Sequence, residues 1–345
     1  MKRRRILLMV HPELIPPEDI DGLSEKEIDV FRCEYNVYST LRNLGHDVRV
    51  LGVLDRLTEL RKVLKEWQPH LVFNLLQEFS GIAAYEPYVV AYLEMNRQPY
   101  TGSNPRGLML SQDKVLTKQV LASHRAATPS FHLFPYGKRF KEPRKGKLEF
   151  PLFVKSATED ASLGIAQASI VEDMSKLRER VEFIHDTVQS DALVEEYIDG
   201  REFYIGVLGN NRLTTLPAWE LNFGTLADVS AGIATRKVKW DRNYQEKHGI
   251  TTGPAKGLSD AQAEKLSRLA KRIYRALHLC GFARLDFRMR DDGKVFLLEA
   301  NANPDLTYGE DFAESAASVG ISYDKLIARI VNLGLSYEPE WRLYE

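Results

Sequence analysis

Near the C-terminal end of the chain, three oxygen-bearing side chains are spaced so that they can act on one ligand. In Phe282-Ala-Arg-Leu-Asp-Phe-Arg-Met-Arg-Asp-Asp-Gly-Lys-Val-Phe-Leu-Leu-Glu-Ala-Asn-Ala-Asn-Pro304, Arg284, Asp286 and Arg288 alternate with apolar residues. Asp291-Asp-Gly293 then offers a tight turn, and an apolar run resumes at Val295. Alternation on either side of such a turn predicts a β-hairpin. Residues two apart on a strand share a face, so Glu299 and Asn301 project together and Asp286 faces them from the other arm. A set of oxygens without nitrogen or sulfur suits Mg²⁺, which takes one or two carboxylates and completes its shell with water and phosphate oxygens. This chemistry predicts a nucleotide site. The same residues also read as the solvated face of an ordinary hairpin.

Features suited to phosphates and a planar base lie upstream. Phe150-Pro-Leu-Phe-Val-Lys155 places a lysine at the end of an apolar strand, and the small-residue stretch Ala157 to Gly164 follows it. A loop of small residues can bring backbone N–H groups close to an anion, and the lysine adds a point charge; a plain hairpin turn with an incidental lysine is the other reading. Leu193 to Ile198 would carry exposed backbone and Glu195 past a planar group, with Glu202 on the next strand within reach of the same ligand. The segment from Asn222 to Lys256 reads as long, polar and irregular, and contains Arg236, Lys237, Lys239 and Lys247. Long loops in compact domains are commonly lids, and this one is cationic enough to cover phosphates.

These groups need a frame, and the N-terminal third supplies one. Ile6 to Val10, Val48 to Leu51 and Leu71 to Phe73 read as strands, alternating with amphipathic helices at Ile28 to Leu44 and Leu57 to Trp67. The alternation predicts a Rossmann-like parallel α/β sheet, whose ligands lie beyond the carboxyl ends of its strands. His11 to Glu18 and Asn74 to Glu78 follow strands and therefore face the ligand. Glu86 to Met95 reads as a helix and Pro99 to Pro105 as a turn-rich boundary. A helix from Ser111 to about His124, strands at Pro129 to Leu133 and Leu152 to Ser156, and a basic linker from Tyr136 to Lys147 come next. A helix from Asp173 to Thr187 and two strands joined at Asp199-Gly200 follow. Ser259 to Leu277 is a strongly amphipathic helix leading into the hairpin, and helices at Phe312 to Val319 and Tyr323 to Leu333 follow it. The expected divisions are 1–103, 104–198 and 199–345.

Bulk properties narrow the class. The 345 residues are enough for two or three domains, and 47 Lys plus Arg against 48 Asp plus Glu gives a net charge of -1, so nothing argues for nucleic acid or an anionic membrane. The apolar run Ile6 to Val10 after the basic start is too short for a signal peptide and is ended by His11-Pro-Glu13, and no run elsewhere reaches the roughly 18 apolar residues of a spanning helix. The 2 cysteines, Cys33 and Cys280, cannot build a disulfide framework or a zinc site, which suits a reducing cytoplasm; both read as core thiols. The histidines show no ligand spacing.

Taken in order, the motifs resemble the ATP-grasp superfamily and, within it, the D-alanine–D-alanine ligase group. The carriers are Pro99-Tyr-Thr-Gly-Ser, Gln112-Asp-Lys114, Phe150 to Lys155, Ser162-Leu-Gly164, Val194-Glu-Glu-Tyr-Ile-Asp-Gly-Arg-Glu202, Gly253-Pro-Ala255, Gly281-Phe-Ala-Arg-Leu-Asp286 and Leu298-Glu-Ala-Asn301. The resemblance implies an N-terminal α/β domain followed by two ATP-grasp subdomains that clamp ATP between β-sheets. It implies that Lys114 and Lys155 hold the phosphates, that backbone around Glu195, Glu196, Tyr197 and Ile198 contacts adenine, and that Glu202 contacts the ribose. Asp286, Glu299 and Asn301 would ligate two Mg²⁺ ions, or Mn²⁺. Arg284, Lys239 and Ser162 would act at the transferred phosphoryl group. The implied reaction joins a carboxylate to an amine through an acyl phosphate, and the implied assembly is a homodimer through the N-terminal domain.

Departures cluster where substrates should bind. The family's His-Gly-x-x-Gly-Glu-Asp-Gly gives way to Phe73-Asn-Leu-Leu-Gln-Glu78 and Glu86, and its first-strand loop to Val10-His-Pro-Glu13. Asp160-Ala-Ser162 replaces a glycine-serine-serine, and Pro304-Asp-Leu-Thr307 replaces Pro-Gly-Met-Thr without a clear match for the acceptor-binding serine. Glu13, Glu78, Glu86, Asp305 and Asp311 are therefore the candidate substrate residues. The acids at Asp305, Glu310 and Asp311 suggest a cationic amine or a peptide amino end, although acidic residues also suit a helix N-terminus. The leading expectation is a ligase of small amino acids or peptides other than D-alanine. A genuine D-alanine–D-alanine ligase and an ATP-binding protein or phosphotransferase without ligase activity are the alternatives.

Overall fold

The computed structural model describes residues 2–143, 146, 148–157, 167–224, 238 and 241–339. Strand β1 (Arg5–Val10) lies between β2 (Asp47–Gly52) and β3 (Leu71–Asn74), paired in parallel with both. Its uninterrupted apolar run is what burial on both faces requires. Val37 and Leu41 of helix α1 (Glu25–Asn43) join Ile6 and Leu8 in one core, while Leu60 of α2 (Thr58–Glu66) joins Leu7 and Met9 in another. Helix α3 (Glu86–Met95) follows.

Helix α4 (Pro105–Gln112) begins where the sequence suggests only the end of a turn-rich boundary. Asn104 caps it by accepting from the Gly107 N–H, and Pro105 occupies the first turn, where its missing N–H costs nothing. Asp113 caps α5 (Lys114–Ser123) in turn.

A second sheet has the order β4-β7-β5-β6, formed by β4 (Phe131–Phe134), β5 (Leu152–Ser156), β6 (Ile170–Val171) and β7 (Ala192–Glu196). Leu177 and Val181 of α6 (Met174–Phe183) pack on Val154 and Val194 of this sheet. The described part of the expected basic linker packs too, with the Phe140 ring stacked on Phe134 at 4.9 Å.

A third sheet has the order β11-β10-β8-β12-β13, with β9 (Thr214–Thr215) added on β8 (Arg201–Leu208). Its other strands are β10 (Trp219–Asn222), β11 (Thr251–Pro254), β12 (Phe282–Met289) and β13 (Val295–Ala302). The strands on either side of Asp199-Gly200 enter different sheets, β7 the second and β8 the third, so the chain crosses between sheets at this turn. The region 222–256 is less irregular than its polar composition suggests. It begins in β10 and contains α7 (Arg242–His248) and β11, which pairs antiparallel with β10. Lys239 and Ser162 lie outside the described residues.

Helix α8 (Asp260–Ala276) decides which face of the third sheet is dry. Leu266, Leu269 and Ile273 pack on Phe203 and Ile205 of β8 and on Leu285 and Phe287 of β12. Pleating therefore sends Glu202 and Tyr204, and Arg284, Asp286 and Arg288, to the opposite face. On β13 the parity changes. Val295 and Leu297 face the core, and a register shift opposite Asp286 and Phe287 leaves Leu298 without a partner. That bulge brings Ala300 to the core and frees Glu299 and Asn301 for the other face. Helices α9 (Asp311–Ala317) and α10 (Tyr323–Ser336) then return the chain to the first sheet, Leu326 and Ile330 packing with Leu71.

Candidate active site

The polar faces of the second and third sheets and the carboxyl end of the first share a cleft of about 1030 Å³. Strand β12 supplies Arg284, Asp286 and Arg288 to it, β13 supplies Glu299 and Asn301, β7 supplies Glu195 and Glu196, and Tyr197 and Ile198 follow on the crossing turn. Asp286 stands opposite Glu299 in the β12–β13 register. The Arg284 guanidinium donates to both Asp286 oxygens, at 2.8 and 3.1 Å, and Asn301 Nδ2 donates to Asp286 Oδ2 at 3.1 Å. Lys114 Nζ lies 3.3 Å from Glu299 Oε1. Two carboxylates and an amide are thus gathered, with a cation beside each carboxylate.

Among the described residues no group of three or more His, Cys, Asp or Glu could hold a metal unaided. The oxygen set of Asp286, Glu299 and Asn301 nevertheless fits Mg²⁺ carried by a nucleotide, because that ion keeps few protein ligands and takes phosphate oxygens for the rest.

Lys118 and Lys155 are held by a buried carboxylate. Glu195 is 3% exposed; Lys155 Nζ lies 2.8 Å from its Oε2, and Lys118 Nζ pairs with its Oε1. Burial acts to raise the Glu195 pKa, but the two ammonium groups outweigh it and the net direction is down. Lys118 is shifted downward, first by burial and also by Lys155, against the pull of Glu195. The Glu195 side chain is thus the counter-ion of Lys118 and Lys155, while Glu195 to Ile198 all border the cleft. Lys118 itself was legible as the residue one helical turn beyond Lys114, on the same face of α5.

Glu202 has a partner that sequence reasoning missed. Arg288 donates to Glu202 Oε2 from Nε and Nη2, at 3.0 and 2.9 Å, and to the Ile198 carbonyl from Nη1 at 2.9 Å. The same guanidinium sits over the Tyr197 ring, 5.2 Å from its centroid. It therefore rigidifies the crossing turn from the third sheet. Its alternation with Arg284 and Asp286 was the available signal.

The candidate substrate residues separate. Glu78 lines the cleft, its Oε1 3.7 Å from His11 Nε2. Glu86 lines it as well and accepts from Gln112 Nε2 at 2.7 Å and Asn303 Nδ2 at 3.1 Å. Asp305 accepts from the Thr307 N–H and hydroxyl, at 2.9 and 2.7 Å, and Asp311 opens α9 at the cleft wall. Glu13 is brought to none of these; it is exposed on a turn outside the cleft lining. Cys33 corrects another expectation, since it lines the cleft beside Asp305, whereas Cys280 is buried.

Residues 131–332 match the family of the D-Ala–D-Ala ligase C-terminus. The chain belongs to the D-alanine–D-alanine ligase family. Protein y4sG of Sinorhizobium fredii, itself uncharacterised, is 34% identical over 307 residues, covering 88% of this chain and 87% of its own. The D-alanine–D-alanine ligase of Nitratidesulfovibrio vulgaris is 30% identical over 91% of this chain and 95% of its own. In Bacillus anthracis, the D-alanine–D-alanine ligase solved with ATP shares the fold, with a TM-score of 0.72 at 20% identity over 96% of this chain and 97% of its own. Membership makes the protein an ATP-dependent ligase that forms C–N bonds. Among the described residues no helix is long and apolar enough to cross a membrane.

Proposed function

We propose that the protein is an ATP- and Mg²⁺-dependent carboxylate–amine ligase whose substrates are amino acids or peptides other than a pair of D-alanines. ATP supplies a γ-phosphoryl group that activates a substrate carboxylate as an acyl phosphate, from which an amine then displaces phosphate. Asp286, Glu299 and Asn301 would hold Mg²⁺, which would supply positive charge against the phosphates, and Mn²⁺ suits the same oxygens. Lys114 and Lys155 neutralise phosphate charge, Glu202 takes the ribose, and the chain from Glu196 to Ile198 borders adenine. Arg284, fixed on Asp286, faces the charge that develops on the transferred phosphoryl group and on the tetrahedral oxyanion.

The observation that carries the substrate reading is Asp305. Its carboxylate lines the cleft at the loop after β13 and is clamped by two donors from Thr307. A D-alanine acceptor carries its carboxylate one carbon from the reacting amine, where a clamped acid is repulsive, whereas an acceptor bearing an extra cation, or with its carboxylate farther off, escapes that penalty. The kinship with enzymes that join D-alanine supports D-alanine–D-alanine ligation as the second reading.

Phosphate release from Mg²⁺-ATP against arrayed amino acids, D-amino acids and dipeptides, with products weighed, separates the two. A product lighter by one water than an acid and amine other than D-alanine supports the first. Efficient formation of D-alanyl-D-alanine, with every other pair silent, would establish the second.

A further inference from the structure

Away from the nucleotide half of the cleft, α1 carries a carboxylate that the chemistry above does not use. Glu34 is 7% exposed and lines the cleft. Among the described residues it makes no salt bridge and no hydrogen bond to another residue's side chain; its one bond comes from its own backbone N–H. The charged group that acts on it is Asp305, of the same sign, which is itself held by Thr307 and by the Cys33 thiol. Burial, and then Asp305, push the Glu34 carboxyl up to about 7.

The cations nearby are committed elsewhere. Arg32, on the same helix, pairs with Glu25 and Asp29; His11 faces Glu78; Lys114 faces Glu299. Glu310 and Asp311, at the start of α9, add negative charge to the same wall. A buried carboxylate beside a like charge is costly unless a cation completes it. Among the described residues none is contributed here, and Glu34 lines the cleft at this point.

We propose that Glu34, together with Asp305, receives a positively charged group of the substrate other than an α-amino group, a side-chain ammonium or a guanidinium on one of the two molecules being joined. The proposal rests on the ligase reading for the identity of that molecule as a substrate. Glu34 then acts as a specificity-determining residue: it selects cationic substrates over neutral and anionic ones of the same length.

Calorimetric titration of the full chain, loaded with Mg²⁺ and a non-hydrolysable ATP analogue, tests this directly. The cationic probes are agmatine, D-ornithine, D-lysine and L-lysine; norleucine and D-alanine are the neutral counterparts, and glutamate the anionic one. The expected result is at least one cationic probe binding tenfold or more tightly than its neutral counterpart, with the preference lost in Glu34→Gln and weakened in Asp305→Asn. A melting temperature of Glu34→Gln no lower than the wild type's shows that the loss is not unfolding. Equal binding of cationic and neutral probes, or a preference that survives Glu34→Gln, overturns the proposal. The ligase reading fails separately: a cation that binds through Glu34 but yields no product one water lighter than the sum of its parts, with any acid of the array, sinks the ligase reading and leaves the cation site standing.

Discussion

Asp286 stands opposite Glu299 across β12 and β13, yet the next pair along is Phe287 with Leu297. The extra residue, Leu298, turns the second arm over. Deleting Leu298 removes the bulge but leaves Glu299 directly after core-facing Leu297, so alternation should keep Glu299 and Asn301 on the cleft face and Ala300 in the core, and ATP turnover should survive. Leu298→Ala keeps the bulge and should retain turnover. A phosphate-release assay on both variants checks this, and loss of turnover in a folded deletion variant would show that the bulge does more than set which face Glu299 and Asn301 take.

Asp286→Ala and Glu299→Ala should each abolish ATP turnover. Arg284→Lys retains the charge but loses the two-pronged contact with Asp286. Its kcat should fall on the order of 10²–10³-fold, the scale for losing one preorganised oxyanion donor, while the KM for ATP moves far less. Equal changes in both parameters would place Arg284 in ground-state nucleotide binding instead.

Removing the charge of Glu195 strands two buried lysines. Glu195→Gln should destabilise the protein by about 3–5 kcal/mol, the usual cost of breaking a buried ion pair from one side. Lys118→Met in that background should recover part of the loss, because one uncompensated ammonium disappears. Urea midpoints of the single and double variants measure it, and additive losses would show that the three groups are not coupled.

Glu34 gives stability a pH dependence of definite sign. Its folded pKa of about 7 lies above the usual 4.5, so the native state keeps the proton where the unfolded chain releases it. The contribution is present below about pH 4.5 and is lost as pH rises through 7. Glu34→Gln should therefore melt higher than the wild type at pH 8, by up to about 3 kcal/mol in stability, and show little difference near pH 4.5. Thermal melts at the two pH values test this, and a variant that is less stable at pH 8 would mean that Glu34 has a cationic partner within the fold.

Much of the frame was legible because its patterns are local. The run Ile6 to Val10 announced a strand covered on both faces, and alternation around Asp291-Asp-Gly293 announced the hairpin. What escaped the sequence depended on distant partners. Nothing local shows that β7 and β8 enter different sheets, or that Leu298 is extruded, since an apolar residue suits a strand whichever way it points. Strand β11 was hidden because Thr251-Thr-Gly-Pro254 has the composition of a loop and becomes a strand only by pairing with β10. Only the fold reveals the partners of three ordinary charges: Glu195 for Lys118, Glu202 for Arg288 and the like-charged Asp305 for Glu34.

Asn303 follows strand β13 in a left-handed conformation, with its side-chain oxygen on the Ser103 N–H and its amide nitrogen on Glu86. A Cβ on Gly102 would fall 2.2 Å from that oxygen, so the seam between the first and third sheets has no room for slack. The distance from Asn301 to Asp305 is then covalently bounded: four residues of chain span at most about 14 Å. The backbone acts as a ruler between phosphoryl chemistry and the acidic wall. A substrate that engages both ends must fit its length, so changing the protein's preference for substrate size would require altering this segment and not only the side chains along it.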